Sequence, residues 1–175
     1  NDFVFSAGTS SSMFPMNGNL RRVVEIPRVR RLYWGHIHHL VGTTFGVGYM
    51  DDWLAHYGDV MGHNLSGQAG YISARGNHAL SQLPAQIPFR VTSGEPGDIT
   101  VNGTLARVTG QGWINVREMR LAGSPEPLPL IWSDDRNWQV SFPVLPGVNE
   151  VELEVYDFSG DLITTVPLTI TSNAS

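Results

Sequence analysis

The spacing of apolar residues along this chain changes once, near Pro88, and that change limits the folds open to it. Before Pro88, apolar residues recur every three or four positions, which is the period of a helix with one buried face. After Pro88 they alternate with polar residues, as in the run Val-Glu-Leu-Glu-Val at 151–155, which is the period of a half-buried strand. The sequence therefore predicts a helical part followed by a β part.

Three helices are predicted before Pro88. The first runs over 27–41, because proline suits the first turn of a helix and the apolar period holds along this stretch. Gly42 and Gly46 interrupt the pattern. The glycine-rich run at 42–48 follows a predicted helix, whereas a phosphate-binding loop follows a strand, so it indicates a helix–helix connection.

The second predicted helix covers the apolar set between Val47 and Met61 and places Asp51 and Asp52 in its first turn, where carboxylates are favourable. The third begins at Ser66, whose side chain is expected to cap it. It extends to about residue 83, where the prolines that follow forbid continuation. These three helices are expected to form a small layer.

Eight strands are predicted after Pro88, separated by turn signals such as Asn102-Gly103 and Pro146-Gly147. They cover 89–92, 99–102, 105–108, 114–121, 128–132, 138–144, 148–158 and 162–170. Short strands at this regular spacing predict a small all-β sandwich.

These patterns divide the chain into an N-terminal arm at 1–19, a helical segment at 20–87 and a sandwich at 88–175. The arm is rich in Ser, Gly, Thr and Asn and is expected to be extended, without a fold of its own. The chain begins with Asn1 rather than Met, which we interpret as a processed or excised end.

The composition excludes several functional classes. The chain has no Cys, hence no disulfide, thiolate metal site or cysteine nucleophile, and it has no Lys for Schiff-base chemistry or phosphate binding. Its 16 acidic and 11 basic residues, with net charge -5, form no long basic block, so no nucleic acid partner is expected. No apolar run is long enough for a transmembrane segment, and no cofactor is expected.

Metal binding has two weak candidates. His36 and His39 share one face of the first predicted helix, but packing or surface histidines explain the pair better. Calcium at the sandwich loops is the other hypothesis, because hard oxygen ligands occur there, with turn-forming Asp as the alternative explanation. The carboxylates concerned are Asp134, Asp135, Asp157 and Asp161.

Three tryptophans of the β part raise the hypothesis of ligand binding, since aromatic rings stack on sugars. Trp138 alternates in phase with Val140 and Phe142 and is therefore expected inside the sandwich. Trp113 and Trp132 remain the candidates for a ligand-binding surface.

The run Ile-Pro-Arg-Val-Arg-Arg-Leu-Tyr-Trp-Gly-His-Ile-His-His-Leu at 26–40, followed by Tyr-Met-Asp-Asp-Trp-Leu at 49–54, resembles the distal helical part of spore-coat-protein-H-like (CotH-like) proteins. Those proteins are atypical, kinase-like and secreted. In many bacterial members an immunoglobulin-like domain follows, and the residues after Pro88 resemble such a domain. The resemblance implies an immunoglobulin-like antiparallel β-sandwich preceded by a short helical segment, and so a mostly β fold.

The same resemblance places the ATP-binding lysine and most acidic metal ligands of that family before Asn1. Asp2 would be a remnant of an acidic metal-ligand motif, because Asp-Phe-Val-Phe lies where the family has an Asp-containing strand. One carboxylate cannot hold magnesium and a triphosphate, so the family's kinase activity is not carried over to this chain.

The leading functional prediction is a non-catalytic, extracytoplasmic interaction module, a subunit or processed fragment docked to protein partners in a larger assembly. Peripheral contact with a membrane complex is compatible with it. The alternatives are the tail of a CotH-like kinase and a carbohydrate- or calcium-binding adhesion domain. The residues expected to dock on a partner are Phe3, Phe5, Arg28, Arg31 and Trp34.

Overall fold

The computed structural model describes residues 8–13, 17–94 and 98–174. The chain divides into two compact units, Asn1–Pro84 and Ala85–Ser175, which we call the helical unit and the sandwich unit. Within the described residues, the structure has no helix of the length and apolar character needed to cross a membrane.

The helical unit has four helices among its described residues, one more than predicted. They are α1 (Gly18–Val24), α2 (Pro27–Gly42), α3 (Val47–Met61) and α4 (Ser66–Ser81). Helix α1 begins inside the segment predicted to be an extended arm. Its start is fixed by Asn17, whose side-chain oxygen accepts the backbone N–H groups of Asn19 at 3.0 Å and Leu20 at 3.2 Å.

Two details of the predicted helix starts are wrong. Because α3 begins at Val47, Asp51 and Asp52 fall beyond its first turn, which has no acidic residue. Ser66 is the first residue of α4 and does not cap it with its side chain. Asn64 takes that part instead, since its side-chain oxygen accepts the Ser66 N–H at 2.9 Å.

The core of the helical unit is small. Its main cluster of buried apolar residues is Met13, Ile37 and Ala79, with Tyr33, Val41 and Leu83 packed around them, and Val24 and Ile72 are buried outside this cluster. The contribution of Met13 shows that part of the predicted arm packs against the helices of its own chain.

Two polar side chains fix that part of the arm in place. Arg75 on α4 is fully buried, and its Nη1 donates to the carbonyl oxygens of Ser11 at 2.6 Å and Thr9 at 3.4 Å. The Tyr33 hydroxyl on α2 donates to the carbonyl oxygen of Met13. Residues 9–13 are therefore held by their main chain to two different helices.

The described residues of the sandwich unit form eight strands, the number predicted. They are β1 (Arg90–Val91), β2 (Asp98–Val101), β3 (Leu105–Gln111), β4 (Glu118–Leu121), β5 (Ile131–Trp132), β6 (Asn137–Pro143), β7 (Gly147–Tyr156) and β8 (Leu162–Ser172). One sheet has the order β1-β3-β6-β5 and the other β2-β8-β7-β4.

This strand order is that of an immunoglobulin-like sandwich. Strands β1, β3, β6 and β5 occupy the places A, B, E and D of one sheet, and β4, β7 and β8 occupy C, F and G of the other. All pairs are antiparallel except β2 with β8, which is a parallel pair at the edge of the second sheet. The chain is thus a mostly β protein with an immunoglobulin-like sandwich after a helical segment.

The predicted strand at 114–121 is too long. Ile114 and Val116 are buried, which preserves the alternation, but they lie in the connection between β3 and β4, outside both strands. Alternating burial arises here because the connection crosses the core. Strand pairing begins only at Glu118.

The sandwich core is built around Trp138 on β6. Its indole is stacked on Phe89, with ring centroids 5.1 Å apart and planes 8° apart. Its register partner on β3 is Gly110, where a Cβ atom would overlap both the indole and the carbonyl oxygen of Arg90. Val140 and Phe142 are buried next to it, as the alternation predicts.

We expect Gly110→Ala to lower the free energy of unfolding of the sandwich unit by about 2 kcal/mol or more, because backbone and ring must both move to admit the methyl group. Gly103→Ala is the matched control, since its added methyl group meets no atom within 4 Å. Urea denaturation of both variants measures the difference. Equal stability of the two variants would contradict this packing.

Burial raises the pKa of Tyr33 above its ordinary value of 10.0, although the positive charge of Arg75 opposes that shift. Folding then favours the neutral phenol, so its contribution to stability is complete below about pH 10 and declines as the pH rises through the higher folded-state pKa. Tyr33→Phe should remove this alkaline decline and cost about 1 kcal/mol at neutral pH, because the Met13 carbonyl loses its donor. Denaturant titrations between about pH 8 and 11, followed by helix circular dichroism, test this. The same alkaline slope in both proteins would refute it.

Candidate functional site

Helix α3 turns its aromatic side chains toward solvent. Tyr49, Trp53 and Tyr57 are spaced four residues apart and therefore lie on one face, where they are 49%, 44% and 50% exposed. Val60 and Met61, 70% and 53% exposed, continue this face toward the end of the helix. We call these five residues the α3 aromatic face.

The rings of this face are in contact with one another. The centroids of Tyr49 and Trp53 are 6.4 Å apart, and those of Trp53 and Tyr57 are 5.9 Å apart with planes inclined by 19°. His56 meets Tyr57 edge-on, with centroids 5.1 Å apart. Because the side chains hold one another in place, less rotamer freedom is left to lose when a partner covers them.

The opposite side of α3 has small residues. Gly58 is the buried residue of the helix, and a Cβ atom there would lie 2.8 Å from the carbonyl oxygen of His63 in the loop that leads to α4. The close approach of that loop requires glycine at this position. The helix therefore approaches its own unit most closely at Gly58, with Leu54 half-buried one turn before it, while the aromatic rings face outward.

Carboxylates border the aromatic face. Asp52 and Asp59 are seven residues apart, so they lie along one side of α3, next to the row formed by Tyr49 and Trp53. Both are exposed, and α3 contains no Lys or Arg. The border carries negative charge and favours an approaching surface with basic side chains.

The apolar period predicts helix α3, but it does not show which side of the helix is buried. The apolar set between Val47 and Met61 predicts a helix, but Trp53 and Tyr57 were not singled out as functional residues. The available signal was Gly58, which lies on the side opposite the aromatic rings and marks the face that packs closely.

The sandwich places its candidate residues together at one end. Trp113 lies in the connection between β3 and β4, whereas Trp132, Asp134 and Asp135 lie at the end of β5 or in the turn that follows it. The two segments are joined by the Gly112 N–H, which donates to the carbonyl oxygen of Arg136 at 2.9 Å.

Asp134 and Asp157 form turns at this end of the sandwich. Asp134 accepts the backbone N–H groups of Arg136 and Asn137, each at 2.8 Å, and Asp157 accepts those of Ser159 at 2.8 Å and Asp161 at 2.9 Å. These are Asx-type turns, in which a carboxylate replaces a backbone acceptor.

The electrostatics of Asp134 agree with a turn-forming function. Its partial burial tends to raise its pKa, but hydrogen bonds from the Asn137 side chain and from the N–H groups of Asn137 and Arg136 outweigh that effect, so the pKa lies below its ordinary value of 3.8. Within the described ranges, no three His, Cys, Asp or Glu side chains are grouped to hold a metal ion. The structure thus favours the turn explanation over calcium binding for Asp134 and offers no cluster that includes Asp135.

The two candidate tryptophans are both half-buried. Trp132 packs against the sandwich core, and its ring approaches to 3.3 Å the position that a Cβ atom on Gly112 would occupy. Part of its surface therefore serves packing. Near Trp113, the Arg117 guanidinium on the same connection lies 5.7 Å from the ring centroid of Phe158.

The prediction that Arg31 docks on a partner is wrong. Its side chain is 1% exposed, because it lies four residues before Gly35 on the buried face of α2. Arg28 is exposed, as the prediction requires. Trp34 is half-buried, with the Arg30 guanidinium 5.2 Å from its ring centroid.

The predicted histidine pair and the residues of the arm complete the candidates. His36 is exposed and His39 is half-buried, and neither belongs to a metal-binding group in the described part of the chain. Asp2, Phe3 and Phe5 lie outside the described residues.

We expect Asp134→Ala to destabilise the sandwich unit by about 1 kcal/mol at neutral pH, because two N–H groups lose their acceptor. Since the folded-state pKa of Asp134 is lowered, its contribution is complete above about pH 4 and is lost as the pH falls through the folded-state value. The difference in the free energy of unfolding between Asp134→Ala and the unmodified chain should therefore become smaller as the pH is lowered. Asp161→Ala, whose backbone alone takes part in the neighbouring turn, is the control in denaturant titrations. A stability difference that does not change with pH would contradict the assignment.

No protein-family model and no curated protein matches the chain. Solved structures do match, among them the fibronectin(III)-like modules of CbhA from Clostridium thermocellum, at 13% identity over 50% of this chain and 99% of the module, with a TM-score of 0.36. A PKD domain from the KIAA 1837 protein matches at 11% identity over 53% of this chain and 93% of the domain, with a TM-score of 0.27. An endo-fucoidan hydrolase of glycoside hydrolase family 107 matches at 15% identity over 49% of this chain and 14% of the hydrolase, with a TM-score of 0.28.

Proposed function

We propose that this chain is a non-catalytic interaction module that docks through the α3 aromatic face onto a protein partner in a larger extracytoplasmic assembly. The observation that carries the proposal is the row of exposed Tyr49, Trp53 and Tyr57, extended by Val60 and Met61. Single exposed apolar residues are common on proteins, whereas a contiguous row of them marks a contact surface.

The chemistry of the face favours a protein as the partner. Trp and Tyr are the residue types that most often dominate protein–protein contacts, and here they are already ordered by ring contacts. The acidic border formed by Asp52 and Asp59 suits a partner with apolar side chains next to Arg or Lys. The same border opposes a nucleic acid backbone.

The resemblance to CotH-like proteins supports a second candidate. The segment at 49–54, which carries part of the resemblance, includes Tyr49 and Trp53 of the aromatic face. In a longer CotH-like parent, the partner would be the kinase-like part of the same polypeptide, and this chain would be its non-catalytic tail. The extracytoplasmic location in both candidates rests on that resemblance to secreted proteins.

We expect a bound partner to cover the α3 aromatic face in the native assembly. Hydroxyl-radical footprinting of native material should show Tyr49, Trp53 and Tyr57 protected relative to the isolated chain, because a bound partner excludes the solvent-borne radical. Equal oxidation of these rings in both samples would overturn the proposal.

The double variant Trp53→Ser/Tyr57→Ser should lose about 30-fold or more in affinity for the co-purifying partner, as expected for two central aromatic residues. Its stability should change little, because both side chains are already half exposed. The control is Leu145→Ser/Leu162→Ser, which removes two apolar side chains of still greater exposure from the sandwich unit and should keep the affinity. Retention of the variant by the partner, or binding of the unmodified chain to a polysaccharide through these rings, would count against protein docking.

A further inference from the structure

A second apolar surface is exposed on the helical unit, at α1 and the start of α2. It includes large apolar side chains that are 41–58% exposed, and three exposed arginines lie among them. The apolar residues are Leu20, Val23, Ile26 and Leu32, and the arginines are Arg21, Arg22 and Arg28. We call these seven residues the α1–α2 arginine face.

The local packing explains why these side chains point outward. Val24 is the one residue of α1 that is buried, and α2 buries Arg31, Gly35 and Ile37. Leu20 and Val23 are spaced to lie together on α1, and both stay about half exposed beside the buried Val24. This face, like that of α3, therefore belongs to the outside of the unit.

The two faces are complementary in both charge and polarity. The α1–α2 arginine face has three arginines and one neighbouring carboxylate, Glu25, which pairs with Arg21 at 3.0 Å. Helix α3 has the carboxylates Asp51, Asp52 and Asp59 and no Lys or Arg. Each face thus offers a row of apolar side chains bordered by the charge that the other lacks.

The order of contacts within the unit separates the two faces. Helix α1 packs on α2, α2 on α4, and α4 on α3, so α1 and α3 lie at opposite ends of this series. Neither helix covers the other within one copy. The α1–α2 arginine face of one copy is therefore placed to contact the α3 aromatic face of another copy rather than that of its own.

We infer that the partner of the α3 aromatic face is a second copy of this chain, which covers it with the α1–α2 arginine face. The inference rests on the proposed docking function of α3 and names the occupant. Reciprocal contacts close a dimer, whereas contacts made in one direction give an open chain of copies.

The first measurement is sedimentation of the unmodified chain over a range of concentrations at low and high salt. We expect reversible self-association that weakens as salt rises, because the bordering charges are exposed and therefore screened. A chain that stays monomeric at concentrations up to roughly 1 mM would overturn the inference.

A charge exchange then tests which faces meet. One variant, Asp52→Arg/Asp59→Arg, gives α3 a positive border, and the other, Arg22→Glu/Arg28→Glu, gives the α1–α2 arginine face a negative one. Each variant alone should associate about 10-fold more weakly, because like charges face each other. Their mixture should regain association, since each contact again joins opposite charges.

The matched control is Glu150→Arg/Glu152→Arg, which reverses two exposed carboxylates on the sandwich unit and should leave association unchanged. Failure of the mixture to recover, with both variants folded by circular dichroism, would overturn the pairing of these faces. If the chain is monomeric but Tyr49, Trp53 and Tyr57 are protected in native material, a second copy is refuted as the partner and the docking function stands. A monomeric chain without that protection would refute both.

Discussion

The contact between Trp138 and Gly110 organises the sandwich unit. The indole takes the space above β3 that a side chain at position 110 would fill, and Phe89 stacks on it. Its Nε1–H is buried without an acceptor among the described residues, which costs about 1–3 kcal/mol that packing must offset. The ring is therefore held by shape alone. The regular alternation of Val140 and Phe142 beside it depends on that fit.

Most of the sandwich could be predicted from sequence, because its longer strands, such as β3, β6 and β8, have one buried face and a period of two. The prediction was wrong where residues are buried without belonging to a strand. Ile114 and Val116 alternate as strand residues do, yet they fill the core from a loop. Similarly, Asp134 could be recognised as an acceptor from its type, but only the hydrogen bonds to its own turn decide between turn formation and calcium binding.

The helical unit was harder to predict, because a helical period defines a face without saying whether the protein or a partner covers it. Trp53 and Tyr57 have the spacing of core residues and are exposed, whereas Arg31 has the charge of a surface residue and is buried. The difference lies in the neighbours. Gly58 and Gly35 mark the sides of α3 and α2 that pack inside the unit. The type of residue on the opposite side of each helix was therefore a better indicator of which side is buried than the residues on the face itself.

Arg75 donates to two carbonyl oxygens of the arm, those of Thr9 and Ser11. Such contacts are indifferent to the side chains at positions 9 and 11. Substitutions there should accumulate freely as long as the main chain keeps its course, whereas Arg75 itself should not be replaceable by lysine, because a compact ammonium is more strongly hydrated than a guanidinium and costs more to bury at this position. Divergent relatives of this protein could therefore be recognised by an invariant arginine on α4 facing a segment of unrelated sequence.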